Sequence, residues 1–207
     1  VKSKLDTNRM MLLSKAHSRA LRRYELLLEA SGLSPSLILG AAGEDPEAVL
    51  PWLRSMTEQV VRSEVVLEYT TIDMGLSDMI TRHFFGSGRR QRKATSSRRR
   101  RTLRLMLQNI YLLQKLAVVR SFKDVPRPIV SKIAAINDVR NGLAHSFFLR
   151  DLPASKRKYK GFSIFDPRGL RAFRKDAWEV QCFFTPWLRE AFEEADVGLT
   201  PSAPDRG

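Results

Sequence analysis

Apolar positions recur three and four residues apart along most of this chain, the spacing of one face of an α-helix. Leu13, Ala16, Ala20, Tyr24 and Leu27 predict a first helix over Met10 to Ala30. Gly32, Pro35, Gly40 and Gly43 then mark a loop, with room for one helical turn at "SLIL". "EDPEAVLPWL" reads as a helix start, with Asp45 as cap and Pro46 in the first position, and Pro51 is expected to kink or restart it. Met56 to Phe85 is long and amphipathic, with Val65, Tyr69, Ile72, Leu76 and Met79 on one stripe. His83 lies on that stripe and reads as a core or interface residue, while His17 carries no signal.

The second half continues the same way. Thr102 to Phe122 is dense in Leu, Ile and Val and predicts a nearly buried helix. "DVPRP", Asp124 to Pro128, breaks the chain and opens the next helix. A polar connection follows, with a short strand expected around Phe162 to Phe165. Leu170, Phe173, Ala177, Phe184, Leu188 and Ala191 predict a last helix over Gly169 to Ala195. No internal repeat and no sustained strand alternation is present, so the expected class is all-α, a helical bundle. Residues 1–50 form an expected N-terminal helical extension, 51–197 the main helical domain and 198–207 a disordered tail.

One position breaks the pattern. Ile129, Ile133, Ile136, Leu143 and Phe147 form a stripe, and Arg140 falls in the middle of it. A guanidinium there needs an anionic partner or several acceptors, because an unpaired buried charge is very costly. His145 follows five residues later, about 140° around an ideal helix. The sector between them holds Asn137, Asn141 and Ala144, all small enough to let a second helix approach. Two geometries then remain open. Arg140 and His145 can meet their counterparts from a second copy across a two-fold axis. Alternatively, Asn141-Gly142 can end the helix and let the two converge within one chain. Against both stands a plain structural role: Arg140 paired with Asp73, Glu68 or a partner's Asp138, and His145 as a helix-end histidine favoured by the helix dipole.

Composition narrows the classes. The chain has 207 residues, 43% hydrophobic and 28% charged, enough for one core domain with an appendage. No apolar run approaches the roughly 20 residues needed to span a bilayer, and no signal-peptide pattern opens the chain at Val1. The single cysteine, Cys182, excludes an intramolecular disulfide and a cysteine-rich zinc site, and suits a reducing cytoplasm.

Charge adds a second candidate site. The net charge is +14, and Arg89 to Arg104, "RRQRKATSSRRRRTLR", carries nine basic residues and no acid. Such a block repels itself and is expected to form a flexible basic loop over 86–102. Arg89, Arg90, Arg92, Lys93, Arg98, Arg99, Arg100 and Arg101 are candidate RNA contacts, since clustered cations gain affinity for polyanions by counterion release without reading sequence. A merely solvated loop, an anionic membrane surface and an acidic protein partner are the alternatives.

"DVRNGLAHSF" resembles the signature of the HEPN domain family: an Arg, then a polar residue that is often Asn, then a His after four to six intervening residues. Arg140, Asn141 and His145 match it with four residues between Arg and His. The resemblance spans roughly Met56 to Ala195; residues 1–50 and the arginine-rich segment lie outside the pattern. It implies a small all-α domain, in many members a metal-independent endoribonuclease acting as a toxin or defence effector. Other members have lost activity and serve as binding or dimerisation modules. It further implies a homodimer in which two motifs face each other, and a protein partner such as an antitoxin.

The residue types suit that chemistry. RNA carries its own nucleophile, the 2′-hydroxyl. His145 can move protons near neutral pH, Arg140 can bind two phosphoryl oxygens with its planar fork, and Asn141 can orient phosphate or imidazole. The expected products are a 2′,3′-cyclic phosphate and a 5′-hydroxyl. No cofactor and no metal is expected, since the sequence holds no His-Glu cluster at ligand spacing, no phosphate-cradling glycine motif and no Gly-x-Ser-x-Gly.

Overall fold

The computed structural model describes residues 18–34, 46–86, 94–144 and 158–196. Among them are six helices and one two-stranded hairpin: α1 (18–30), α2 (Pro46–Phe85), α3 (Ala94–Gln108), α4 (Leu112–Phe122), α5 (Arg127–Ala144), β1 (Lys158–Tyr159), β2 (Phe162–Ser163) and α6 (Pro167–Asp196). The class is all-α. The chain divides into two compact units, Val1–Leu67 with Asp138–Lys175, and Glu68–Asn137 with Asp176–Gly207.

In the first unit, α1 buries Leu27, Leu28 and Ala30. Gly32, at φ 75°, closes it: the amide of Gly32 donates to the Glu29 carbonyl at 3.0 Å and that of Leu33 to Leu28 at 2.9 Å. This reversed pair satisfies carbonyls that the helix end would otherwise leave open. α2 buries Leu53, Val61 and Val65 here. It begins at Pro46, as expected, and runs through Pro51 as one helix rather than restarting; the proline removes only the bond that its own nitrogen would have donated.

The β1–β2 hairpin pairs Lys158 with Ser163 and Tyr159 with Phe162. Lys160 and Gly161 both have positive φ, the left-handed pair that a two-residue hairpin turn requires. Tyr159 is buried and meets the Phe173 ring edge-on, with centroids 5.4 Å apart. Asp166 then caps α6, its carboxylate accepting from the Arg168 amide at 3.0 Å, with Pro167 at the first helical position. Gly169 is required by crowding: a Cβ built there would stand 2.0 Å from the Ser163 carbonyl oxygen.

In the second unit, Ile72, Leu76, Met79 and Ile80 of α2 are buried, as are Leu112, Leu116 and Val119 of α4 and Ile133 and Ile136 of α5. α6 adds Ala177, Val180 and Phe184. Lys115 is 1% exposed, and its ammonium lies 2.6 Å from Asp73 Oδ2. Lys132 binds the Glu179 carboxylate and lies 3.7 Å from that of Asp176, which is buried. The hydrogen bond to Glu179 holds the Lys132 ammonium above the usual lysine range. Cys182, on α6, is exposed as a free thiol.

Four expectations are corrected. Residues 94–102, expected within a flexible basic loop, are helical: Ala94–Gln108 forms α3. Arginine is a good helix former, and its charge is solvated on an exposed face. Thr102 to Phe122 is not one nearly buried helix but the end of α3 and all of α4. The break falls at Asn109–Tyr111, where the Tyr111 amide donates to the Gln114 side chain at 3.1 Å, and Leu105, Met106, Tyr111 and Leu113 are exposed. Asn141-Gly142 does not end its helix, which continues to Ala144. His83 is exposed, not a core residue. The "SLIL" turn and the tail 198–207 lie outside the described residues.

Candidate functional site

α5 carries the motif. Of the predicted stripe, Ile133, Ile136 and Leu143 are buried, Ile129 is half-buried and Phe147 lies outside the described residues; Val139 is also buried. Arg140, which the pattern places among them, is half-buried rather than fully enclosed. Its Nη1 donates to Asn141 Oδ1 at 3.2 Å. With its carbonyl oxygen engaged, Asn141 presents the amide nitrogen as the donor of that side chain. Gly142 is buried and Ala144 exposed. The local rationale for the helix is its start: "DVPRP" sets Pro128 in the first turn, where a missing amide proton costs nothing.

His145, the third member of the motif, lies outside the described residues, as do Arg89, Arg90, Arg92 and Lys93. What the structure brings together is therefore Arg140 and Asn141. It also supplies a residue that the sequence did not single out. Arg62, on α2, donates to the Leu143 carbonyl at 3.1 Å, two positions before His145. Arg62 thus ties α2 to the motif helix at that point. Its only sequence signal is a charge directly after buried Val61, and nothing in the pattern reveals an acceptor 81 residues away.

Asp73 holds Lys115, Glu68 accepts from Gln181, and Asp138 is exposed. Asn137, one of the small residues of the motif sector, is 8% exposed.

α3, in the second unit, carries the described part of the basic segment. Arg98, Arg99 and Arg101 are exposed. Arg100 is half-buried, and its Nη2 comes within 3.5 Å of the Gly86 carbonyl. Arg104 lies 3.6 Å from Asp78, both largely solvated. These two approaches set α3 antiparallel to the end of α2.

A cleft of about 340 Å³ in the first unit is lined by Arg23, Tyr24, Arg54, Glu58, Ser163 and Phe165, among others. Both of its guanidiniums have partners: Arg23 on the Phe165 carbonyl at 2.9 Å and Arg54 on Glu58 at 3.0 Å. Among the described residues, no three His, Cys, Asp or Glu side chains are grouped to hold a metal ion, and no helix is long and apolar enough to cross a membrane. Comparison with protein-family models, curated proteins and solved structures finds no match to this chain.

Proposed function

We propose that this chain is a metal-independent endoribonuclease of HEPN type, with Arg140, Asn141 and His145 in its site. The observation that carries the reading is the contact of Arg140, a charge on the apolar face of α5, with its neighbour Asn141, at HEPN spacing from His145. In the proposed reaction His145 accepts the 2′-hydroxyl proton as the 2′-oxygen bonds to phosphorus. The bond from phosphorus to the 5′-oxygen breaks, and that oxygen takes a proton from an imidazolium or from water. Arg140 neutralises the charge gathering on the phosphoryl oxygens, and Asn141 orients the phosphate. The exposed arginines of α3 hold the RNA electrostatically.

The same reading makes the protein a cytoplasmic toxin or defence effector, controlled by an antitoxin or another protein partner. It also makes it a homodimer with its motif helices near the two-fold axis, with a mass by light scattering near twice 23.7 kDa. A second reading is a catalytically silent HEPN module. The exposed Arg98, Arg99 and Arg101 favour it, because they can bind a polyanion without the motif.

Cleavage of a generic RNA by the wild type and by His145→Ala, with analysis of product ends, tests the proposal. Cyclic phosphate and 5′-hydroxyl ends are expected from the wild type in EDTA, with a loss of about 10²- to 10⁴-fold in the variant. A substrate with one 2′-deoxy sugar 5′ of the scissile phosphate should resist. Equal cutting of DNA would refute the mechanism, and binding without cutting would favour the silent module.

A further inference from the structure

The second unit exposes an aromatic cluster that the cleavage chemistry does not use. His83 and Phe84 end α2, and Phe122 ends α4. The His83 ring lies parallel to that of Phe122, with centroids 3.8 Å apart and an 8° interplanar angle. Phe84 meets His83 edge-on at 5.2 Å. His83 is exposed, Phe84 is 61% exposed and Phe122, beneath His83, is half-buried. An exposed stack of this kind supplies a flat π-surface at little entropic cost.

Its neighbour is the basic helix. Gly86, two residues beyond Phe84, is the residue whose carbonyl Arg100 approaches. The start of α3, with exposed Arg98, Arg99 and Arg101, therefore lies beside the aromatic cluster. Cations tracking a backbone beside exposed rings suit one polymer, a single-stranded nucleic acid, whose phosphates face the cations while its unpaired bases stack. A duplex would satisfy the arginines but leave the rings unused, since its bases are already stacked and paired.

We infer that His83, Phe84 and Phe122 form a base-stacking platform which, with Arg98, Arg99 and Arg101, binds single-stranded nucleic acid. The inference rests on the proposed function only for the choice of RNA as the natural polymer, and it does not involve Arg140 or His145.

The test uses a labelled 20-nucleotide 2′-O-methyl oligouridine, which has no free 2′-hydroxyl and cannot be cut, with fluorescence anisotropy as readout. A 20-base-pair duplex is the comparison. Phe84→Leu keeps apolar bulk but removes the ring, and should weaken single-strand binding by about five-fold or more while leaving duplex binding unchanged. Phe84→Tyr should restore it. Matching thermal melts would show that neither change acts through folding. Undiminished binding by Phe84→Leu, or duplex bound as tightly as single strand, would overturn the platform. So would co-sedimentation with phosphatidylserine vesicles in the absence of oligonucleotide binding. RNA cleavage with normal Phe84→Leu binding would refute the platform alone; loss of binding in that variant of an uncleaving protein would refute the nuclease alone.

Discussion

The two units hold their inward cations on different acceptors. In the first, guanidiniums are turned onto the chain's own backbone: Arg23 on Phe165, Arg62 on Leu143 and Arg174 on Ala30, with Arg174 also 2.7 Å from Glu64. The Ala30 carbonyl stands at the last residue of α1, where a cation is favoured. In the second unit the inward cations are lysines held by carboxylates, Lys115 by Asp73 and Lys132 by Glu179, while Arg98, Arg99 and Arg101 stay in solvent. A net charge of +14 therefore overstates the charge available to a ligand. The contrast is one of degree: Arg19, Arg54 and Arg171 of the first unit are also exposed, and Arg100 of the second reaches the Gly86 carbonyl.

The largest expected effect tests how tightly the first unit is fastened. Gly169→Ala forces a methyl against the Ser163 carbonyl and should cost about 2 kcal/mol or more, lowering the melting temperature by several degrees. An unchanged melt would mean that the joint between hairpin and α6 is loose. Next, Arg62→Met should cost about 1 kcal/mol by urea titration and slow RNA cleavage, because the motif helix loses its tie to α2 at Leu143. Lower stability with unaltered cleavage would confine Arg62 to folding.

The contrasting change in the second unit is Arg98, Arg99 and Arg101 to Gln. Because these positions are helical, Gln is the proper neutral replacement; Ser would add a propensity cost. The melt should move by no more than about 2 °C, while the log–log salt slope of single-strand RNA binding falls by about 2, roughly 0.7 per lost phosphate contact. A retained slope would show that these arginines do not contact phosphate.

The smallest effect concerns Lys132. Its folded pKa is raised by Glu179, so the stability it contributes is fully present below the unfolded lysine value of about 10.4 and is lost as pH rises through the folded value. The difference in urea midpoint between the wild type and Lys132→Met should be constant from about pH 7 to 9 and shrink toward pH 11. A flat difference would place the effect in packing.

How far the sequence could be read followed from the range of each interaction. The stripe Val65, Tyr69, Ile72, Leu76 and Met79 and the stripe Leu170, Phe173, Ala177 and Phe184 are set by local periodicity, and all of them are buried except Tyr69, which is half-buried. The charge run at Arg98–Arg101 is helical although like charges repel, because arginine's helix propensity and the solvation of its charge outweigh that repulsion. His83, on the apolar stripe of its helix, is exposed rather than in the core: Phe122 covers one face of its ring and solvent reaches the rest. Of the candidate site, the position of Arg140 on its helix was legible; its contact with Asn141 and the brace from Arg62 depend on rotamers and on a partner helix far away in sequence.

The exposed Cys182 is the chain's only sulfhydryl. An electrophilic dye will therefore attach at a single place on the native protein, putting one reporter on α6 without any engineered substitution. The same sulfur lets two molecules become covalently joined in air. A doubled mass measured without reductant would then report oxidation as readily as assembly, and only a doubled mass that survives reductant or Cys182→Ser reports a non-covalent pair.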